Sequence, residues 1–253
     1  MLGNPYPCAI DADKFIAANI LPTATGASIT GTINQTIGGA LYFWTSNTAY
    51  PGTGNYNFAD YCTYTKLGSA NGSPGMAVGG LNPTGKIAAG QGFFAQIFAS
   101  GSITFNNSMR VTANNNNFFR NANATTAVTT TIEKHCIWLN YTNATSNSNK
   151  AFRQMLVGYA DGATNDIDNI YDGHSFTNNQ IDLYSIVDNE NFSVQARALP
   201  FQDTDLVPLG FKATTAGDYT ISIDHVDGLF ADGQPIYIED KYLNIIVDFL
   251  EYC

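Results

Sequence analysis

Apolar and polar positions alternate with a period of two through much of the chain, the spacing of strands that bury one face. In "SITFNN" Ile103 and Phe105 alternate with polar neighbours. In "DYTISIDHV" the pattern places Tyr219, Ile221, Ile223 and His225 on one face and Thr220, Ser222 and Asp224 on the other. Strands are also expected in "GGALYFWTSN", "TGNYNFADYCTYTKL", "KIAAGQGFFAQIFA" and "GSITFNNSMRVT". In the second half they are expected in "EKHCIWLNYTN", "KAFRQMLVGYAD", "IDLYSIVD", "FSVQARALP", "DLVPLGFKAT", "GDYTISIDHVDG" and "QPIYIEDKY". Gly, Asn, Asp and Pro punctuate these segments, as turns require. One short helix breaks the pattern, from Ala12 to Asn19, with Asp11 before it as N-cap and Asn19 as its stop.

Residues 113–131, "ANNNNFFRNANATTAVTTT", are polar and of low complexity, and they divide the chain. Many short strands and almost no helix predict an all-β protein of two consecutive antiparallel β-sandwich (jelly-roll-like) domains, with one short helix near the N-terminus. The expected divisions are a first sandwich over 1–112, a polar linker at 113–127, and a second sandwich over 128–253.

Composition agrees with this reading. Apolar residues make up 44% of the 253 and charged residues only 13%, against about 25% charged in an ordinary soluble domain. Thr and aromatics suit a pleated surface, and Asn and Gly suit turns. The net charge of −10 repels phosphate backbones, which argues against nucleic acid and anionic lipid as partners. No apolar run is long enough for a transmembrane helix, and the first twenty residues, with Asp11 and Asp13, are not a signal peptide. Cys8, Cys62, Cys136 and Cys253 form no CxxC or Cys/His set and read as free thiols.

The densest candidate chemistry is "GATNDIDNIYDG", residues 162–173. An EF-hand loop needs ligands at alternate positions, a sixth-position Gly and a closing Glu. Counted from Asp166, Ile170 falls on the third ligand position, Tyr171 on the sixth, and no Glu closes the loop. A looser calcium site of Asp161, Asp166, Asp168 and Asp172 is the one cofactor candidate. The preferred alternative is a turn in which Asx side chains bond nearby backbone N–H groups. His135, His174 and His225 lie in separate segments without metal spacing. Nucleophile-elbow and phosphate-loop motifs are absent. The carboxylate pairs Asp203/Asp205 and Asp224/Asp227 leave a glycoside hydrolase as a remote reading. Trp44, Trp138, fourteen Tyr and sixteen Phe could supply a stacking platform for sugars. A carbohydrate-binding module therefore requires solvent-facing aromatics on one sheet, and fails if every Trp and most Tyr are buried.

An ordered set of motifs carries a resemblance. "LGNPYPCAIDADKFI", "LYFWTSN", "IAAGQGFFAQ", "ITFNNSMRV", "EKHCIWLN", "LVGYADGATNDIDNIYDG", "LYSI", "QARALPF", "VPLGFKATTAGDYTISID" and "IYIEDK" resemble the C-terminal regions of flavobacterial and other Bacteroidetes type IX secretion substrates with a type C sorting signal. The resemblance spans nearly the whole chain and implies a non-catalytic structural or adhesion module of an exported cell-surface protein. The implied partners are surface polysaccharide or other surface proteins, and the implied location is extracellular or cell-surface, with the export and sorting signals outside this chain. It transfers no catalytic residue. Against the family pattern, the resemblance implies that the first sandwich (1–112) lacks its first strands and that the second (128–253), with its divergent ending "YLNIIVDFLEYC", is truncated at its C-terminus, and with that self-association through unpaired strand edges.

Overall fold

The computed structural model describes residues 1–20, 36–44, 60–72, 83–112, 132–143, 152–176 and 181–249. Among the described residues the strands and the α-helix run in the order β1 Leu2–Gly3, β2 Ile10–Asp11, α1 Ala12–Asn19, β3 Ile37–Trp44, β4 Tyr61–Tyr64, β5 Ser69–Ala70, β6 Lys86–Ile87 and β7 Gly92–Ile97. They continue with β8 Lys134–Asn143, β9 Phe152–Ala160, β10 Gly173–His174, β11 Ile181–Val187, β12 Glu190–Ala198, β13 Leu209–Ala213, β14 Tyr219–Val226, β15 Tyr237–Asp240 and β16 Ile245–Asp248. The chain is mostly β, with its α-helix near the N-terminus. The expected linker at 113–127 lies outside the described residues.

The helix forms where its caps place it. The Asp11 carboxylate accepts from the Lys14 N–H at 3.0 Å, satisfying one of the donors that a helix start leaves open. Its inner face buries Ala12, Phe15 and Ile16 against Ile10, Leu41, Ile87 and Phe93. Asn19 ends the helix and does a second task. Its amide donates to the Phe15 and Thr104 carbonyls and accepts from the Thr104 N–H at 2.7 Å. That exchange replaces a strand partner, so the strand expected across residues 101–112 is absent. Ile103 and Phe105 still pack on the core, but their backbone leads into a short 3₁₀ turn at Asn107–Met109. Alternation there reports burial and not pairing.

A five-stranded sheet has the order β1-β7-β3-β4-β5. A seven-stranded sheet has the order β13-β11-β12-β9-β8-β14, with β10 also on β12. The hairpin β15-β16 and the short pair β2-β6 complete the set. The β11–β12 hairpin turns on Asp188 and Asn189, both at positive φ (51° and 65°). This is the two-residue turn whose twist matches paired strands.

The expectation of purely antiparallel sheets is corrected at one pair, since β12 and β9 run parallel from Val194↔Leu156 to Ala198↔Ala160. A parallel pair needs a crossover of a dozen residues or more. Here the chain returns through the 161–176 loop and β11. A second correction concerns His225. A bulge between Ile223 and His225 shifts the β14–β8 register. Tyr219, Ile221 and Ile223 stay with the apolar cluster of Leu139, Tyr141, Met155 and Val157, while His225 stacks on Trp138 at 4.1 Å, a ring belonging to another cluster. One extra residue flips every side chain beyond it.

The two large sheets touch through a cluster in which Leu67 and Ala70 meet Cys136, Trp138, Leu156 and Val194. Polar contacts reinforce it. Trp138 donates its indole N–H to the Ser69 carbonyl at 2.9 Å, and Thr63 and Ser193 share a hydroxyl hydrogen bond at 2.9 Å. Asn71 and Gln154 exchange two bonds, the Gln154 side-chain oxygen taking the Asn71 N–H. No helix among the described residues is long and apolar enough to cross a membrane.

Candidate functional site

The alternation of β3 divides its aromatics. Leu41 and Phe43 face the core under α1, so Tyr42 and Trp44 point to the opposite side of the sheet. Register then gathers neighbours there, since Tyr42 lies opposite Phe94 on β7 and Trp44 opposite Tyr61 on β4. Tyr61 meets Phe94 edge-on at 5.6 Å, and Phe176 packs on Tyr61 at 5.4 Å and Tyr42 at 4.9 Å. Tyr42 and Phe176 form the floor, while Trp44 is 40% and Phe94 39% exposed. Phe98, 42% exposed, continues the row along β7 with the exposed Gln96 between. Gly38 allows that ring to lie close, because a Cβ there would sit 2.8 Å from the Phe98 ring. The result is an aromatic platform with an amide at its side. Ring faces carry negative potential and suit the polarised C–H face of a pyranose, while Gln96 can reach a hydroxyl.

Trp138, the other tryptophan, is only 7% exposed. Sequence reasoning named both tryptophans without separating them. The signal that could have done so is the alternation within "ALYFW" itself.

The acidic loop is built differently from a metal cradle. Asp161 and Asp166 are exposed, while Asp168 and Asp172 are buried. Asp168 accepts from the Thr164 N–H at 2.5 Å and from the Thr164 hydroxyl at 3.1 Å. Asp172 accepts from the Asp168 N–H and from the Ala196 N–H, each at 2.7 Å. Asn165 accepts from the Ala198 N–H at 3.1 Å. Thus β12 has its N–H groups at 196 and 198 taken by loop side chains, just past the point where β10 stops pairing with it. Asp172 and Asn165 serve as strand surrogates. Among the described residues no three His, Cys, Asp or Glu side chains gather as a metal-binding group.

Burial pushes the Asp172 carboxyl up to about 8, against the pull of the Ala196 and Asp168 N–H groups. An acid raised in the folded state holds its proton more tightly there than in the unfolded chain. Its contribution to stability is therefore greatest at low pH and is lost as pH rises toward 8. The wild-type stability is expected to fall relative to Asp172→Asn by up to about 1.4 kcal/mol per pH unit between pH 5 and 8. Denaturant unfolding of both proteins across that range checks it, and parallel pH profiles would contradict it.

The remaining candidates are engaged in structure. Asp205 is held in a two-point pair by Arg197 and also takes the Tyr159 hydroxyl at 2.8 Å. Burial alone would raise this carboxyl, but Arg197 and Tyr159 bring it below the ordinary range. Asp203 is exposed. Asp224 bonds His225 and Asn140, and Asp227 accepts from the Cys136 N–H. His135 accepts from the Leu229 N–H, and His174 lies 3.5 Å from Glu190. Cys8, Cys62 and Cys136 carry no disulfide, and Cys253 lies outside the described residues. Burial pushes the thiols of Cys62 (to about 12) and Cys136 upward, which keeps them protonated and inert.

A family model described as "Domain of unknown function (DUF8693)" matches residues 1–252. No curated protein and no solved structure matches the chain.

Proposed function

The chain belongs to the DUF8693 family, and we propose that it is a non-catalytic adhesion module of an exported cell-surface protein that binds a neutral polysaccharide. The observation that carries this reading is the aromatic face of the five-stranded sheet, where Trp44 and Phe94 stay 40% and 39% exposed over the buried Tyr42 and the half-buried Phe176. An exposed indole beside exposed phenyl rings costs solubility unless something covers them in use. The net charge of −10 disfavours acidic polymers and leaves neutral sugars. The ordered resemblance to type IX secretion substrates supplies the extracellular setting. We read the two large sheets as parts of two consecutive jelly-roll-like β-sandwich domains, an architecture that places binding faces on rigid strands. Phe211, 66% exposed on the end strand β13, offers a surface for the expected self-association.

Each stacked ring contributes about 0.5–1.5 kcal/mol beyond its buried area, and 1.4 kcal/mol is a factor of ten in affinity. Screening the chain against an array of neutral and acidic glycans should give binding confined to neutral members, and Trp44→Ala should weaken it about tenfold. Binding to acidic glycans alone, or none to any, would overturn the reading.

A further inference from the structure

Away from the aromatic face, a lysine and a carboxylate are buried against each other. Asp11 and Lys86 are cross-strand partners in the β2–β6 pair. The Lys86 ammonium touches Asp11 Oδ2 at 2.5 Å, with side chains only 9% and 15% exposed. The other Asp11 oxygen, Oδ1, accepts from the Lys14 N–H at the start of α1. Asp13 lies beside the pair and accepts the Tyr64 hydroxyl at 2.9 Å. Burial raises the Asp13 carboxyl, with Asp11, Lys86 and Lys66 all within electrostatic reach of it. Ile10 and Ile87, the next pair along the same two strands, and Phe15 on α1 are fully buried. Gly85 closes it, because a Cβ there would fall 2.4 Å from the Tyr64 hydroxyl. A surface ion pair needs none of this enclosure, and a buried one is costly to desolvate.

We propose that Lys86 and Asp11 condense within the folded chain into an amide that permanently joins β2 to β6, with Asp13 relaying the proton. The contact allows the ammonium to pass one proton to Asp11 Oδ2, giving an amine and a neutral acid. The Nζ lone pair then forms the N–C bond to Cγ. The charge that develops on Oδ1 meets the Lys14 N–H, already aimed at that oxygen. A second Nζ proton travels through the Asp13 carboxylate to Oδ2. The C–Oδ2 bond breaks and one water leaves, so an ammonium and a carboxylate become an amide plus water with no oxidant or further reactant. The product keeps Oδ1 as a carbonyl oxygen, so the cap of α1 survives. The low exposure of the two side chains, 9% and 15%, limits the water that would reverse the join. The covalent join closes the chain between residues 11 and 86, a device suited to a protein pulled at its surface. It does not depend on what the aromatic face binds.

Mass spectrometry of the full chain, folded and incubated at neutral pH, tests this. The intact mass is expected to fall by one water, and trypsin should fail to cut after Lys86 and release a branched peptide joining the segments around Asp11 and Lys86. Lys86→Arg, which keeps the charge, should restore the full mass. Asp13→Asn should slow the join about a hundredfold with an unchanged circular dichroism spectrum. A full-mass wild type that cleaves after Lys86 overturns the proposal. So does a mass loss that persists in Lys86→Arg, since an Asp–Gly step such as Asp161-Gly162 or Asp232-Gly233 can lose water by ring closure.

Discussion

Replacing Asp182 by alanine is expected to cost about 3–5 kcal/mol of folding free energy, the range for removing one partner of a buried ion pair. Asp182 on β11 and Arg153 on β9 are 4% and 3% exposed and meet at 3.2 Å. That carboxylate also accepts the Ser175 hydroxyl at 2.6 Å and the Leu183 N–H at 3.1 Å. Arg153 also reaches the Gly72 carbonyl at 3.3 Å, tying the end of the first half of the chain to the second. Alanine leaves the buried guanidinium without its carboxylate. Arg153→Met together with Asp182→Ala removes both charges and should recover most of the loss, as apolar replacements of buried pairs do. Equilibrium unfolding in urea measures both. A single-mutant cost below about 1 kcal/mol, the value of an exposed pair, would show that the charges are solvated.

The second large effect is expected at Gly39. Its N–H donates to the Asn169 carbonyl at 2.6 Å, and a Cβ there would lie 2.0 Å from the Ile170 carbonyl oxygen. The acidic loop thus rests backbone-to-backbone on β3. Gly39→Ala must push the loop away, losing a hydrogen bond and adding steric strain, for about 2–4 kcal/mol together. Gly38→Ala meets only the half-exposed Phe98 ring, which can turn aside, and should cost about 1 kcal/mol or less. Thermal melting of the two variants separates them, and equal losses would contradict the docking.

Much of this architecture was legible because local chemistry and global fold agree. The helix at Ala12–Asn19 was marked by Asp11 before it, and the strand segments of the second half by turn residues at their ends. The features that escaped are those made by distant partners. Nothing local in "SITFNN" announces that Asn19, far back in the chain, supplies the bonds a strand would have supplied. The parallel β9–β12 pair depends on the path of a crossover, which a period of two does not encode. One bulge residue, Asp224, moved His225 to the other face of its strand. The acidic loop shows the same division. Its Asx-rich composition was readable as a self-bonded turn, but its role as a surrogate partner for β12 and a neighbour of Gly39 was not. At the aromatic face, the residue types were plain and their orientation was not, since only register sets Phe94 and Tyr61 beside Trp44 and sends Trp138 inward.

The account rests on the aromatic face of the five-stranded sheet as its binding surface, and affinity electrophoresis through gels containing a neutral polysaccharide retained by the wild type examines it most directly. Trp44→Ala and Phe94→Ala should each release the retardation, while Phe211→Ala, which removes a more exposed ring from the other sheet, should migrate like the wild type. Retardation that survives both substitutions on the face, or that is lost with Phe211, would contradict it.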